Sequence, residues 1–177
     1  MTTTLTAPTP SRTSSPALDF EALYRSSRDD VYAYVATLLR DRSAAEDVTA
    51  AAFERAYRKQ RTYKASRGSE RAWLFGIARN AALDELRRRK RAAALAAEPA
   101  DVDAALPEDA VEAALRRAAV RVALTRIDAR ERELVALKFH AGLDNSEIAA
   151  VLGVSVSNAG TQLHRAMTKL REAVAHA

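Results

Sequence analysis

The chain has 177 residues, 48% of them hydrophobic and 29% charged, with a formal net charge of +5. This length fits one domain or two small ones, and the apolar content excludes a wholly disordered chain. Cysteine is absent, which excludes disulfides, thiol redox sensing and Cys-based zinc sites.

Much of the apolar content is alanine, which buries little area. Five Gly and five Pro leave long stretches of Ala, Leu, Arg and Glu uninterrupted. These are good helix formers, so the chain is expected to be all-α, as two small helical domains joined by a flexible linker. The pI near 9.8 favours a polyanionic partner. No apolar run approaches the roughly 18 residues of a membrane span, so no membrane insertion is expected, and a cytoplasmic location follows. Residues 1–17 are rich in Thr, Ser and Pro and lack the apolar centre of a signal peptide, so they read as a disordered tail.

Folded sequence is expected over 18–91. Phe20, Leu23, Tyr24, Val31, Tyr34, Val35 and Leu38 recur at helical spacing and predict a first helix to about Arg40. A turn at Asp41 and Ser43 leads to a second helix opening at Ser43 or Ala44. Its first turn holds Glu46 and Asp47, and its apolar face holds Val48, Ala52, Phe53, Ala56 and Tyr57. The segment YRKQRTYKASRGS, Tyr57 to Ser69, is polar and basic and is expected to be largely loop. A third helix follows from about Ser69, carries Trp73, Leu74, Ile77, Leu83 and Leu86, and ends in Arg87, Arg88, Arg89, Lys90 and Arg91.

Residues 92–109 hold Pro99 and Pro107 among acidic residues, and the charge reverses from the basic run before them. This is the expected linker, and it predicts two domains that move independently when no partner is bound. Docking in a closed form is the alternative. The second domain is expected over 110–177. A helix from about Val111 to Arg126 comes first. The next is capped by Asp128 and Glu131, carries Leu134, Val135, Leu137 and Phe139, and stops at Gly142.

The most specific local signal is DNSEIAAVLGVSVSNAGTQLHRAMTKL. Asp144 and Glu147 form a capping pattern; Ile148, Ala149 and Leu152 form an inner face; Gly153 ends the helix. Ser155 caps a second helix with Ala159, Leu163, Ala166 and Leu170 inside. Two short helices around a Gly turn read as a DNA-binding helix-turn-helix. Ser157, Asn158, Thr161, Gln162, Arg165 and Lys169 on the outer face have the chemistry to reach phosphates and base edges. Gly160 inside the second helix marks either a close backbone approach or a tolerated cost of about 1 kcal/mol against Ala.

Basic and aromatic residues in the first half suit single-stranded DNA: Lys59, Arg61, Lys64 and Arg67 for backbone, Tyr63 for stacking. On the third helix Asn80 suits a base edge and Arg79 and Arg87 suit phosphates. Asp84 with Arg88 and Glu85 with Arg89 are spaced as i,i+4 pairs, which leaves Arg87, Lys90 and Arg91 for DNA. Trp73 suits a core role at least as well as stacking. No catalytic motif occurs, the three histidines share no spacing with a nucleophile, and neither catalysis nor a metal or cofactor is expected.

The blocks AEDVTAAAFERAY, RAWLFGIARNAALDELRRRKR and RIDARERELVALKFHAGLDNSEIAAVLGVSVSNAGTQLHRAMTKLR, in this order around an acidic linker, resemble the extracytoplasmic-function (ECF) group of the sigma-70 family. The resemblance covers roughly Phe20 to Val174. It implies a sigma factor that takes core RNA polymerase to promoters and starts transcription. The N-terminal domain would bind the polymerase clamp and the −10 element, capturing unpaired bases in the loop around Tyr63. The C-terminal domain would bind the −35 element as duplex, and the linker would thread toward the polymerase active site. The resemblance places the clamp surface around Glu46, Asp47, Glu54 and Arg55, and it implies an anti-sigma factor as a further partner. The chain departs from the family at Ala50 and Ala51, where many members carry Gln and Glu, which removes polar clamp contacts. The competing reading is a stand-alone helix-turn-helix regulator, which would need a dimerisation face.

Overall fold

The computed structural model describes residues 18–95, 120 and 122–175, and every element in them is helical. The expected tail, nearly all of the expected linker and most of the helix expected from Val111 lie outside the described residues. Three helices form the first half: α1 (Phe20–Leu39), α2 (Arg42–Lys59) and α3 (Glu70–Leu95). A short helical stretch over 122–126 precedes α4 (Ala129–Phe139), α5 (Asn145–Leu152) and α6 (Val156–Ala175). α3 runs to Leu95, into the stretch expected to be linker, because Ala92, Ala93, Ala94 and Leu95 are all strong helix formers.

Asp19 opens α1 by accepting the Ala22 N–H at 3.0 Å. α1 ends at Arg40, a non-glycine residue in the left-handed region (φ 52°) whose N–H caps Ala36. Asp41 is more than a turn residue: its carboxylate accepts the Ala44 N–H at 3.1 Å, so α2 starts at Arg42 rather than Ser43. The same carboxylate receives Arg89 at 2.9 Å, tying the far end of α3 to the start of α2. The backbone N–H of Ala44 is the main reason the Asp41 pKa is lowered. The basic segment after α2 is ordered as two single 3-10 turns, Gln60–Thr62 and Ala65–Arg67, rather than an irregular loop.

Burial follows the expected periodicity with three exceptions. Leu23, Val31, Tyr34, Val35 and Leu39 of α1 meet Ala45, Val48, Ala52, Phe53 and Ala56 of α2 and Leu74, Phe75, Ile77, Ala78 and Ala82 of α3. Alanines at these contacts carry little area individually but let helix axes approach closely. Tyr24, Tyr57 and Phe139, expected inside, are 40%, 59% and 62% exposed, and Tyr57 only edges onto Phe20 at the end of α2. Tyr24 instead edges onto Phe53, at 4.8 Å between ring centroids. Phe139 lies in the last turn of α4, beyond the face that Leu134 and Leu137 bury.

The two halves are packed together, where the linker predicts independent units. One contiguous core joins residues of α1–α3 to Leu134, Ala136, Leu137, Ala141, Leu143, Ile148, Ala149, Ala159 and Leu163. α4 lies against α1, and α5 against α3. His140, which ends α4, sits in this seam with its Nε2 3.5 Å from Thr37 Oγ1.

His140 gives the seam a pH dependence. Burial lowers its imidazole pKa, and the nearby charge of Asp30, itself paired with Arg71, partly offsets that. The unfolded chain therefore takes up the proton at a higher pH than the folded one. His140's contribution is complete above the ordinary value of about 6.5 and is lost as pH falls through that value toward the lowered one. Wild-type stability, measured by urea unfolding, should drop between pH 7.5 and pH 5.5, and His140→Gln should remove that part of the drop. Equal losses in both proteins would assign the pH dependence to other groups.

Candidate nucleic-acid interface

The helix-turn-helix is built mainly from local interactions. In α4, Asp128 accepts the Glu131 N–H at 2.8 Å while Glu131 accepts the Asp128 N–H at 3.1 Å. In α5, Asp144 accepts the Ser146 and Glu147 N–H groups at 2.8 and 2.9 Å, and Glu147 accepts the Asp144 N–H at 2.9 Å. Both sequence patterns are thus reciprocal capping boxes. Gly142 and Gly153 sit at φ 65° and 67°, where a Cβ would be strained, and they turn the chain out of α4 and α5. Ser155 accepts the Asn158 N–H at 3.2 Å and starts α6.

Ala159, Leu163 and Ala166 bury one stripe of α6, which leaves the opposite face outside. The six expected contact residues lie on that face but differ in freedom. Ser157, Asn158, Thr161, Arg165 and Lys169 are exposed, and Gln162 is half-buried. Gln162 accepts Arg130 Nε at 2.9 Å and donates to Asn158 Oδ1 at 2.6 Å. Lys169 pairs with Glu131, whose other carboxylate oxygen caps α4. That hydrogen bond raises the lysine's pKa. Arg165 has no ion-pair partner among the described residues, so it can meet a phosphate without first breaking a bond.

In the first half, Lys59, Arg61, Lys64 and Arg67 are exposed around the two 3-10 turns. Tyr63 is half-buried: its ring lies 5.6 Å from Trp73, tilted by 58°, and its hydroxyl donates to Gly68 O at 3.1 Å. The aromatic pair shapes the loop and leaves Tyr63 partly open. On α3, Asn80 is exposed. Arg79 is turned inward, with Nε 2.7 Å from Glu133 of α4. Sequence reasoning gave no sign of this partner, which is 54 positions away.

The basic end of α3 is partly neutralised in a different pattern from that expected. Arg87 pairs with Asp84 at 2.9 Å, and Glu85 receives both Arg88 and Arg89 at 2.8 Å. These hydrogen bonds hold the Glu85 pKa down to about 2. Residues three apart are also neighbours on a helix face, so the i,i+3 partners compete with the i,i+4 ones. Lys90 and Arg91 stay exposed. On α2, Glu46, Asp47, Glu54 and Arg55 are all exposed, as are Ala50 and Ala51. Glu46 lies 3.8 Å from Arg42, and Glu54 pairs with Arg58 at 2.5 Å. A groove of about 650 Å3 runs between α2 and α3, lined by both charge signs, including Glu54, Arg55, Glu85 and Arg88.

Among the described residues no group of His, Cys, Asp or Glu is arranged to hold a metal ion, and no helix is long and apolar enough to cross a membrane.

Comparison with known proteins fits this geometry. Residues 23–92 match Sigma-70 region 2 and residues 117–170 match Sigma-70, region 4. The chain is 33% identical over 154 residues to the ECF RNA polymerase sigma factor BldN of Streptomyces coelicolor; the match covers 85% of this chain and 58% of that protein. It is 30% identical over 151 residues to the ECF RNA polymerase sigma factor SigL of Mycobacterium tuberculosis, covering 85% of each. The fold is similar to that of the sigma factor RpoE from Bartonella quintana, solved in complex with the anti-sigma factor NepR, with a TM-score of 0.75 at 21% identity over 88% of this chain and 96% of that one. CnrH, solved in complex with the cytosolic domain of CnrY, has a TM-score of 0.60 at 25% identity over 86% and 85%.

Gly160 tests how tightly the helix-turn-helix is packed. A Cβ there would stand 3.4 Å from Asn145 Nδ2, an ordinary contact. Gly160→Ala should therefore stabilise the protein by about 0.5–1 kcal/mol through helix propensity. A fall in the urea midpoint would instead show that α5 and α6 need the bare backbone.

Proposed function

The chain belongs to the extracytoplasmic-function group of the sigma-70 family, the sigma factors that take RNA polymerase to promoters, and we propose that its two halves divide the promoter between them. The helix-turn-helix reads the −35 element as duplex. The N-terminal three-helix unit binds the polymerase clamp and captures the −10 element as single strand. In this reading the units are residues 18–91 and 110–177, with the acidic stretch 92–109 between them as tether.

The observation that carries this reading is the capped helix-turn-helix with an exposed polar face, on the same chain as a second basic helical unit that matches region 2. A stand-alone regulator leaves residues 20–95 without a role. On α6, Arg165 supplies a phosphate contact, and Ser157, Asn158 and Thr161 supply base-edge chemistry. Gln162 and Lys169 lie beside them, held by Arg130 and Glu131. On the first unit, Lys59, Arg61, Lys64 and Arg67 line the loop around the half-open Tyr63, with Asn80 exposed on α3. Arg87, Lys90 and Arg91 extend the basic track. Glu46, Asp47, Glu54 and Arg55 present the clamp face on α2, with Ala50 and Ala51 contributing shape but no polar contact. Solved relatives held in complexes, RpoE with the anti-sigma factor NepR among them, support a protein of that kind as a further partner. The reading assigns no catalysis to this chain.

Core RNA polymerase supplied with this protein should start transcription on genomic templates at a promoter subset that core alone ignores. Inactivity on such templates, beside an active control sigma factor, would overturn the reading if clamp binding is intact. Within the active complex, Arg165→Ala should weaken −35 duplex binding and lower the slope of log K against log salt by about one. An unchanged slope would remove Arg165 from the phosphate contacts. Asn80→Ala should impair −10 selection or opening and leave −35 duplex affinity intact. Equal effects of both substitutions on one duplex probe would undo the division.

The acidic tether has a separate test. Replacing Asp101, Asp103, Glu108 and Asp109 by Asn or Gln should alter initiation or promoter escape without changing −35 affinity. Unchanged initiation would leave the tether as an inert spacer of up to roughly 60 Å.

A further inference from the structure

Glu133 is the one buried acidic side chain among the described residues, and its hydrogen-bond partners both belong to the other half of the chain. Arg79 Nε of α3 donates to its Oε1 at 2.7 Å, and Tyr34 Oη of α1 donates to the same oxygen at 3.3 Å. The side chains of Arg79 and Glu133 are only 18% and 9% exposed. A carboxylate in such a place is held only while the seam stays shut: separating the halves leaves Arg79 and Tyr34 without their shared acceptor. Among the described residues no hydrogen bond inside its own unit involves the Glu133 carboxylate.

Arg79 is also a residue whose chemistry suits a DNA phosphate, one position from the exposed Asn80. A DNA phosphate and the Glu133 carboxylate are the same kind of acceptor for a guanidinium, so they compete for it. We propose that Glu133 is a built-in phosphate mimic: carried by the −35 unit, it occupies the anion site of the −10 unit and latches the chain in a closed state that must open before single-stranded DNA is held.

Three further contacts show that the seam is a fitted surface rather than a single pair. Arg71 of α3 reaches across with Nε to the carbonyl oxygen of Ala141 and with Nη2 to that of His140, while Nη2 also holds Asp30 and Nη1 holds Ser27 of α1. Ser69, the cap of α3, pairs with Glu147, the cap partner of α5. Thr37 faces His140. Docking thus consumes groups at the start of α3, directly after the loop proposed to capture bases. The latch rests on the reading of the first unit as the single-strand binder. It also follows that opening is coupled to binding: whatever fraction of molecules is closed lowers the apparent affinity for DNA by that fraction.

The test uses the full chain. Glu133→Gln keeps the size of the side chain and removes its charge. Small-angle X-ray scattering should give a larger radius of gyration for the variant. Its affinity for a pool of random-sequence single-stranded oligonucleotides should rise on the order of tenfold, as expected if about nine molecules in ten are closed in the wild type. An unchanged radius together with unchanged affinity overturns the latch. Should the variant unfold, a second arm decides. The chain has no cysteine, so Thr37→Cys with His140→Cys can be bridged specifically by a short bis-maleimide. The bridged protein should lose oligonucleotide binding that the unbridged double variant retains; equal binding overturns the latch. Failure of the DNA reading has a different signature. If the radius grows in Glu133→Gln but neither protein binds single strands, even with core polymerase present, the closed state stands and the anion it excludes is not DNA.

Discussion

Burying the Glu133 carboxylate imposes a constraint on the whole molecule. A charge in the interior needs a partner, and the partners that satisfy this one lie across the seam on α1 and α3. Tyr34 shows the same dependence from the other side: burial first, and then the adjacent Glu133 charge, pushes its pKa well above the ordinary range. Such a pair adds little net stability over an apolar replacement, but it penalises every arrangement that leaves one member unmatched. It therefore selects one docking of the halves among the many that apolar contact alone would permit. Arg71 reinforces that choice, since one guanidinium bridges α1, α3 and the turn after α4 while lying 5.3 Å from the centre of the Phe75 ring.

The same economy governs the exposed basic surfaces. Several cations among the described residues already have an acidic partner. Glu85 absorbs two arginines, Asp84 a third, Asp41 fixes Arg89 at the base of α2, and Glu131 both caps α4 and holds Lys169. A positive net charge of +5 is thus spread over a surface in which many basic groups already have partners. The exposed cations without such a partner among the described residues include Lys59, Arg61, Lys64 and Arg67 around the 3-10 turns, Lys90 and Arg91 on α3 and Arg165 on α6. Exposed pairs such as Arg87 with Asp84 are weak and easily exchanged, because both members are well solvated. The Arg79 pair is not, because it lies in the seam. The distinction separates cations open to solvent from one that is covered while the halves are packed.

The sequence by itself determined the described helices and those ends that caps mark, although α2 begins earlier and α3 runs further than the sequence predicts. Helical spacing of Leu23, Val31 and Val35, the D-x-x-E patterns at Asp128 and Asp144, and glycines at 142 and 153 are interactions within about four residues, so they are written in neighbouring letters. The outer face of α6 was legible for the same reason, since the period that buries Ala159, Leu163 and Ala166 exposes Ser157, Thr161 and Arg165. Local rules were less decisive where partners three and four residues away compete, as with Asp84, Glu85 and the five cations after them. Only the tertiary structure decided the placing of Tyr63 against Trp73, the reach of Arg71 across the seam, and the burial of Arg79 on Glu133. Each depends on residues 10 to 70 positions apart meeting in space. No periodicity within a single helix encodes which distant face will cover it, and an arginine suited to a phosphate is chemically just as suited to a carboxylate.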